Sequence, residues 1–282
     1  MLLALPIYGQ NRETDYLSHV LEKMNAVESV TYHCVKKAWE PGDKEPVYSV
    51  PTEIYEHVNP QDTAVGYSFL CASDKEFRQP LWVYDGTVFA YIEKEEKEVR
   101  IDDFTQKSPL PFRVIMPQAF GCMKSILEYV LNTQDSIVLS LKDEGKDYLM
   151  ELSIHTPYQV EFFGKACYMP QNPYIYDPTS IYKIWISKEN DMPYRYRREM
   201  QHSISEGICS DFVYNPSGKG KIVAEDYYPA DYVRRIKGEK SQKATVDMTG
   251  KKATDWTLTD MKGQQVSLSG IKSKVILLQF TG

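Results

Sequence analysis

Leu81-Trp82-Val83-Tyr84-Asp85-Gly86-Thr87-Val88-Phe89-Ala90-Tyr91-Ile92 is the stretch that decides the fold class. Two runs of β-branched and aromatic residues flank an Asp-Gly pair. Side chains of this kind pack well on a pleated, half-buried surface. Asp-Gly supplies the positive φ that a two-residue loop of the I′ type requires. The stretch therefore predicts a β-hairpin, and the same pattern continues outward. Residues 30–35 and 63–71 read as strands before it. Residues 137–141 and 148–154 read as a hairpin around a loop containing Gly145, and 181–187, 194–200 and 207–214 as a second meander ended by Asn215-Pro216-Ser217-Gly218. The charge run 93–98 (EKEEKE) reads as a solvated strand end or loop. Residues 157–178, with four prolines and many tyrosines, read as an ordered loop.

Two helices interrupt the strands. Leu17, Val20, Leu21 and Met24 recur at helical spacing; Asn11 or Thr14 is the expected cap, and the helix ends near Asn25. Phe120, Met123, Leu127 and Val130, widened by Ile126 and Leu131, predict a second helix over 118–132 that covers one face of a sheet. The expected fold is mainly β (α+β), an antiparallel sheet with two or more covering helices.

The chain has 282 residues, room for one large or two moderate domains. A net charge of -6 argues against nucleic acid as a partner, because phosphates require a basic surface. Twenty-one tyrosines favour β structure. No apolar run is long enough to span a bilayer. The opening, MLLALPIYGQ, is apolar, then broken by Pro6, then small, and gives way to Asn11-Arg12-Glu13-Thr14-Asp15. That is the pattern of the back half of a secretory signal peptide. Residues 1–9 are accordingly expected to be a signal remnant, cleaved near Gly9 or Gln10, and the protein to be periplasmic or otherwise exported.

Cys34, Cys71, Cys122, Cys167 and Cys209 are scattered, odd in number and without a C-x-x-C pair. They read as small buried hydrophobes and leave room for one bridge whose partners the sequence does not name. His19, His33, His57, His155 and His202 lack metal-ligand spacing. No nucleophile elbow, phosphate loop or dinucleotide fingerprint occurs. No catalytic residue, metal or cofactor is expected. Arg195, Arg197 and Arg198 alternate with Tyr194 and Tyr196 and read as a solvated sheet edge, the alternative being a cationic strip on a strand face.

Residues 236–252 (IKGEKSQKATVDMTGKK) are polar and lysine-rich, as an interdomain linker is. Beyond it, Asp260-Met261-Lys262-Gly263-Gln264 predicts a hairpin turn. Val275-Ile276-Leu277-Leu278-Gln279-Phe280 is the apolar run of a strand buried on both faces. The expected division is thus 1–9, 10–235, 236–252 and 253–282.

Gly250, Ala253, Trp256, Leu258, Asp260, Gly263, Val266-Ser267-Leu268, Lys274-Val275-Ile276-Leu277-Leu278 and Phe280 resemble the opening of the thioredoxin-like thiol-disulfide oxidoreductases of the TlpA and alkyl-hydroperoxide-reductase type. The resemblance implies a cysteine pair at a helix N-terminus shortly after the strand ending in Phe, where the helix end stabilises a thiolate. The sequence reaches Gly282 before such a pair. Residues 10–235 resemble, in element order, the LolA/LolB-like lipoprotein carriers. The segment Ile184-Trp185-Ile186-Ser187-Lys188-Glu189-Asn190-Asp191-Met192-Pro193-Tyr194-Arg195 looks like a strand–turn–strand unit of that group. This second resemblance implies a curved sheet or half-barrel plugged by helices.

Two functional readings follow. In the first, 10–235 is the ligand- or partner-binding domain of an exported thiol-disulfide oxidoreductase, and its partners are protein thiols or disulfides. In the second, it is a non-catalytic carrier for lipoprotein or another hydrophobic ligand, held by residues drawn from Phe120, Met123, Leu127, Leu139, Met150 and Trp185. Thiol–disulfide exchange needs an activated thiolate and a resolving thiol. An insulin-type disulfide-reduction assay on this chain is therefore expected to read no rate above a free-thiol control.

Overall fold

In a computed structural model, described for residues 8–105, 113–115, 117–239, 250–260, 262–273 and 275–276, the strands form by the alternation noted above. Helix α1 (Tyr8–Asn25) is followed by β1 (Ser29–Trp39), β2 (Tyr48–Val58), β3 (Tyr67–Ala72), β4 (Pro80–Tyr84), β5 (Val88–Glu93) and β6 (Glu98–Asp103). Helix α2 (Ala119–Asn132) separates these from β7 (Ile137–Asp143), β8 (Asp147–Ile154), β9 (Val160–Phe162), β10 (Ala166–Tyr168), β11 (Ser180–Ser187), β12 (Met192–Met200), β13 (Ser203–Tyr214) and β14 (Val233–Ile236). Twelve strands form one open, curved sheet in the order β14-β6-β5-β4-β3-β2-β1-β13-β12-β11-β8-β7. Every neighbouring pair is antiparallel except β14 with β6, which is parallel. Strands β9 and β10 pair only with each other. The fold class is the expected one: mainly β, with two helices on an antiparallel sheet.

The main core lies between the sheet and the helices. Leu17, Val20 and Met24 of α1 and Phe120, Met123, Ile126 and Leu127 of α2 pack there against Tyr32, Ile54, Phe69, Met150, Tyr182 and Ile184. A second core occupies the opposite face of β2 to β6. There Tyr55, Leu70, Val83, Ala90, Val99 and Ile101 are covered by Ile222 and Ala224. Strand β3 faces both cores and is buried at all six positions.

Some boundaries differ from expectation for identifiable reasons. Helix α1 begins at Tyr8, so Asn11 and Thr14 lie inside it rather than capping it. The Asp85-Gly86 loop is not of the I′ type. Only Gly86 has positive φ (101°), with Asp85 donating to the Val88 carbonyl at 3.2 Å, which is the hairpin class with glycine at the first central position. Strand β2 escapes sequence pattern because Pro51 interrupts it. Pro51 pairs with Val35 of β1, while β3 begins its pairing only at Glu53, so the missing N–H faces a free edge. Arg195, Arg197 and Arg198 are not on a sheet edge, because β12 is flanked by β11 and β13. Each is paired, to Glu206, Glu199 and Glu161 respectively.

The chain divides into two compact units, Met1–Glu239 and Lys240–Gly282. Of the expected linker, 236–239 belongs to the first unit and 240–249 lies outside the described residues. In the second unit β15 (Thr257–Thr259) and β16 (Gln265–Ser267) form a hairpin, with Gly263 at φ 78° in its turn. Val275 and Ile276 are not in a strand, since no described strand lies beside them, and Val275 is 84% exposed. Lys274, Leu277, Leu278 and Phe280 lie outside the described residues, as do 1–7 of the expected signal segment.

Gly121 in the first turn of α2 gives a direct test of this packing. In an exposed helix Gly→Ala gains about 0.5–1 kcal/mol. Here a Cβ would stand 2.9 Å from Glu56 Oε2 and 3.0 Å from both Pro117 and Tyr67. Gly121→Ala is expected to lose about 1–3 kcal/mol by overpacking, read as a lower urea midpoint. A gain would show that α2 is free to lift from the sheet.

Candidate functional site

The helices sit over β12 and leave another part of the same sheet face less covered. On β4 and β5, Trp82 and Tyr91 are register partners whose rings stack, with centroids 6.2 Å apart and planes 8° apart. Lys36 Nζ lies 4.9 Å from the centroid of the Trp82 ring, a cation–π contact. Phe89 stands two residues before Tyr91 on the same face, and Tyr91 is 43% exposed.

At this end of the sheet a cavity of about 370 Å³ is floored by Phe89 and Tyr91, with Arg100, Asp102, Arg235 and Lys237 around them; Ile101 and Ile236 also line it, though both side chains belong to the second core on the opposite face. The charged residues are held in pairs. Arg100 bonds Glu93 at 3.2 Å, Arg235 bonds Glu98 at 2.5 Å and Lys237 bonds Asp102 at 2.5 Å. The site is therefore an apolar floor with a mixed, electrically balanced rim. It can hold an apolar group in contact with aromatic rings and place polar atoms among cations and carboxylates. It carries no nucleophile–base pair. Among the described residues no cluster of His, Cys, Asp and Glu could hold a metal ion, and no described helix is long and apolar enough to cross a membrane.

The six residues singled out from sequence are divided by the structure. Phe120, Met123, Leu127 and Met150 come together between helix and sheet, each 1% exposed or less, and half-buried Leu139 packs against the same cluster. Trp185 lies apart on the other face of β11, whose core-facing positions are Tyr182, Ile184 and Ile186. Its indole donates to Glu144 at 3.2 Å, and the Arg195 guanidinium stacks 4.0 Å from its ring. The cavity residues on β5, β6 and β14 were missed in the sequence. The available signal was the period-two alternation of Glu98-Val99-Arg100-Ile101-Asp102, obscured by the charge run before it.

A larger cavity, about 530 Å³, is lined by the proline-rich loop, including Tyr158, Gln159, Met169, Asn172 and Tyr176. The β9–β10 hairpin that anchors this loop is tied to β12 by Arg198, which bonds both oxygens of Glu161 at 2.8 and 2.6 Å.

Helix α2 is held by a buried carboxyl. Glu56 of β2 is fully buried and accepts hydrogen bonds from the backbone N–H of Phe120 (3.0 Å) and Gly121 (3.1 Å) and from the Tyr32 hydroxyl. Gln118, the residue before the helix, makes no side-chain cap, so a strand supplies the acceptor that a helix N-terminus needs. Burial pushes the Glu56 carboxyl up to about 7, held back by the Tyr32 bond, the two backbone donors and the nearby Lys36 ammonium.

No protein-family model matches the chain, and no curated protein matches it in sequence. Solved structures with a similar arrangement include a DUF1329 family protein, a lipoprotein and a LolA superfamily protein. A DUF1329 family protein of Desulfovibrio piger has 10% identity over 78% of this chain and 97% of its own, at a TM-score of 0.33. The lipoprotein LppX of Mycobacterium tuberculosis has 7% identity over 74% and 97%, at 0.38. A LolA superfamily protein of Nitrosomonas europaea has 10% identity over 77% and 99%, at 0.27. At these scores the likeness is one of fold class and transfers neither residues nor ligands.

Glu56 sets a pH dependence. In the unfolded chain it releases its proton near the ordinary 4.5, whereas the native carboxyl keeps it to about 7. Between these values the native state binds more protons, so this contribution to stability is full below 4.5 and is lost as the pH rises through 7. Glu56→Gln is expected to remove that slope in urea titrations. It should also lower stability by about 1–3 kcal/mol at acid pH, because its amide presents donors to the donors of α2. An unchanged slope would show that another group titrates.

Proposed function

We propose that the first unit is a non-catalytic binding module for a hydrophobic ligand, an acyl chain, seated in the cavity over Phe89 and Tyr91. The observation that carries this reading is the apolar floor of a cavity of about 370 Å³ beside the stacked Trp82–Tyr91 pair, of which Tyr91 is half-exposed. The cavity's size is within the range of small-molecule sites, and aromatic walls with a few polar groups at the rim are the usual composition of such sites. Carriage of a lipid-modified protein belongs to the same reading. So does export, which the apolar opening MLLALPIYGQ supports. A ligand placed instead among Phe120, Met123, Leu127, Leu139 and Met150 requires α2 to part from the sheet, because those side chains already fill the space between them.

A second reading keeps the thioredoxin-like resemblance of 250–282. The observation in its favour is the β15–β16 hairpin with Gly263 in its turn. Under this reading the first unit is the partner-binding part of an exported thiol-disulfide oxidoreductase whose redox pair is not among the five cysteines of this sequence.

The ligand reading is tested by titrating a fluorescent fatty-acid probe into the purified chain. Tyr91 offers about half its ring to a ligand, worth about 1–2 kcal/mol at ~25 cal/mol per Å². Tyr91→Ala is therefore expected to weaken binding about tenfold. Probe binding that is absent, or indifferent to Tyr91, would remove the site from consideration. Loss with Met150→Ala alone would move it under α2.

A further inference from the structure

Cys34 of β1 and Cys209 of β13 are register partners in the antiparallel ladder joining those strands. Both belong to the helix-side core, and they are 0% and 4% exposed. Directly opposed residues of an antiparallel pair have Cα atoms about 4.5 or 5.5 Å apart, depending on which kind of pair they form. Both separations lie inside the range of about 4.4–6.8 Å that a disulfide spans. The neighbouring Cys209 thiol holds the Cys34 thiol below its ordinary value, while Cys209, chiefly through burial, is pushed well above.

The other cysteines lack such a partner. Cys71 is on β3, two strands from β1 and two residues along from the position opposite Cys34, which places it roughly 11–12 Å away in the sheet. Its own register partners are Ile54 and Trp82. Cys167 pairs with Glu161 in the separate β9–β10 hairpin, and Cys122 is on α2.

We propose that Cys34 and Cys209 are a disulfide-forming pair that cross-links the two halves of the sheet when the chain folds in the presence of a small-molecule disulfide. The Cys34 thiolate attacks one sulfur of that disulfide, forming a mixed disulfide and expelling one small thiolate. The Cys209 thiolate then attacks the Cys34 sulfur of the mixed disulfide and expels the second. Two protein thiols are oxidised, one small disulfide is reduced to two thiols, and the two protons end on those thiols. Because both sulfurs are buried in the folded chain, exchange occurs before α2 and the sheet close over them. The cross-link falls on the ladder where the first and last parts of the unit meet, so it constrains the widest loop in the unfolded chain.

The test uses the whole chain. It is unfolded in denaturant and refolded in a mixture of oxidised and reduced glutathione. After acid quenching, free thiols are alkylated, and the protein is digested without reductant and mapped by mass spectrometry. The expected result is a linked pair of peptides containing Cys34 and Cys209, with Cys71, Cys122 and Cys167 alkylated. The oxidised chain should also have a higher urea midpoint than the reduced chain, and dithiothreitol should abolish the difference. Alkylation of both Cys34 and Cys209, linkage of any other pair, or an oxidised chain no more stable than the reduced one would each overturn the assignment.

Discussion

Strand β1 pairs with β13 from Val30 opposite Tyr214 to Trp39 opposite Ile204, with a bulge near Tyr32 where Asp211 takes φ 56°. This ladder joins an N-terminal meander, β1 to β6, to a C-terminal one, β7, β8 and β11 to β13. Without it each half would present a row of unpaired backbone groups and half a core. The partners lie near opposite ends of the unit. Closing the ladder therefore carries the largest loop-closure cost of the fold, although that cost grows only slowly with length. The neighbouring β12–β13 ladder is shaped to match: Gly207 lies opposite Tyr196, and a Cβ there would meet the Tyr196 ring at 2.3 Å. The ring fills the space a side chain would take.

Glu56 is the second tie. A carboxyl buried in an apolar core is costly unless its oxygens are satisfied. Tyr32 from β1 and two amides from α2 satisfy them. One side chain on β2 thereby fixes the start of the covering helix against the strand at the seam. Lys36 extends the group, bonding Gln118 just before the helix. The position of α2 thus follows from polar contacts at its first turn as well as from its apolar stripe.

With both helices anchored over β12, the aromatic residues of β4 and β5 are left half open. Trp82, Phe89 and Tyr91 share the face that elsewhere carries the main core. The cavity beside them is a consequence of where the cover stops. Strand β14, docked in parallel on β6, supplies its far wall with Arg235, and Lys237 follows it on the same face.

Local pattern was enough for much of this. The alternation around Asp85-Gly86, the meander from 180 to 214 and the stripe of α2 placed strands, turns and one helix within a few residues, because each depends on neighbours close in sequence. Pattern also holds the reason Trp185 stands apart, since Ile184 and Ile186 occupy the other parity of its strand. Alternation states which residues share a face. It does not state which face is covered, or which strand lies alongside. Those were decided by contacts between distant residues: β14 on β6, Glu56 under α2, Cys34 opposite Cys209. Sequence by itself determined the class of fold, both helices and the strands with a clean alternation. Tertiary structure alone decided the seam, the buried carboxyl and the open aromatic end, because each arises from pairings that no local period encodes.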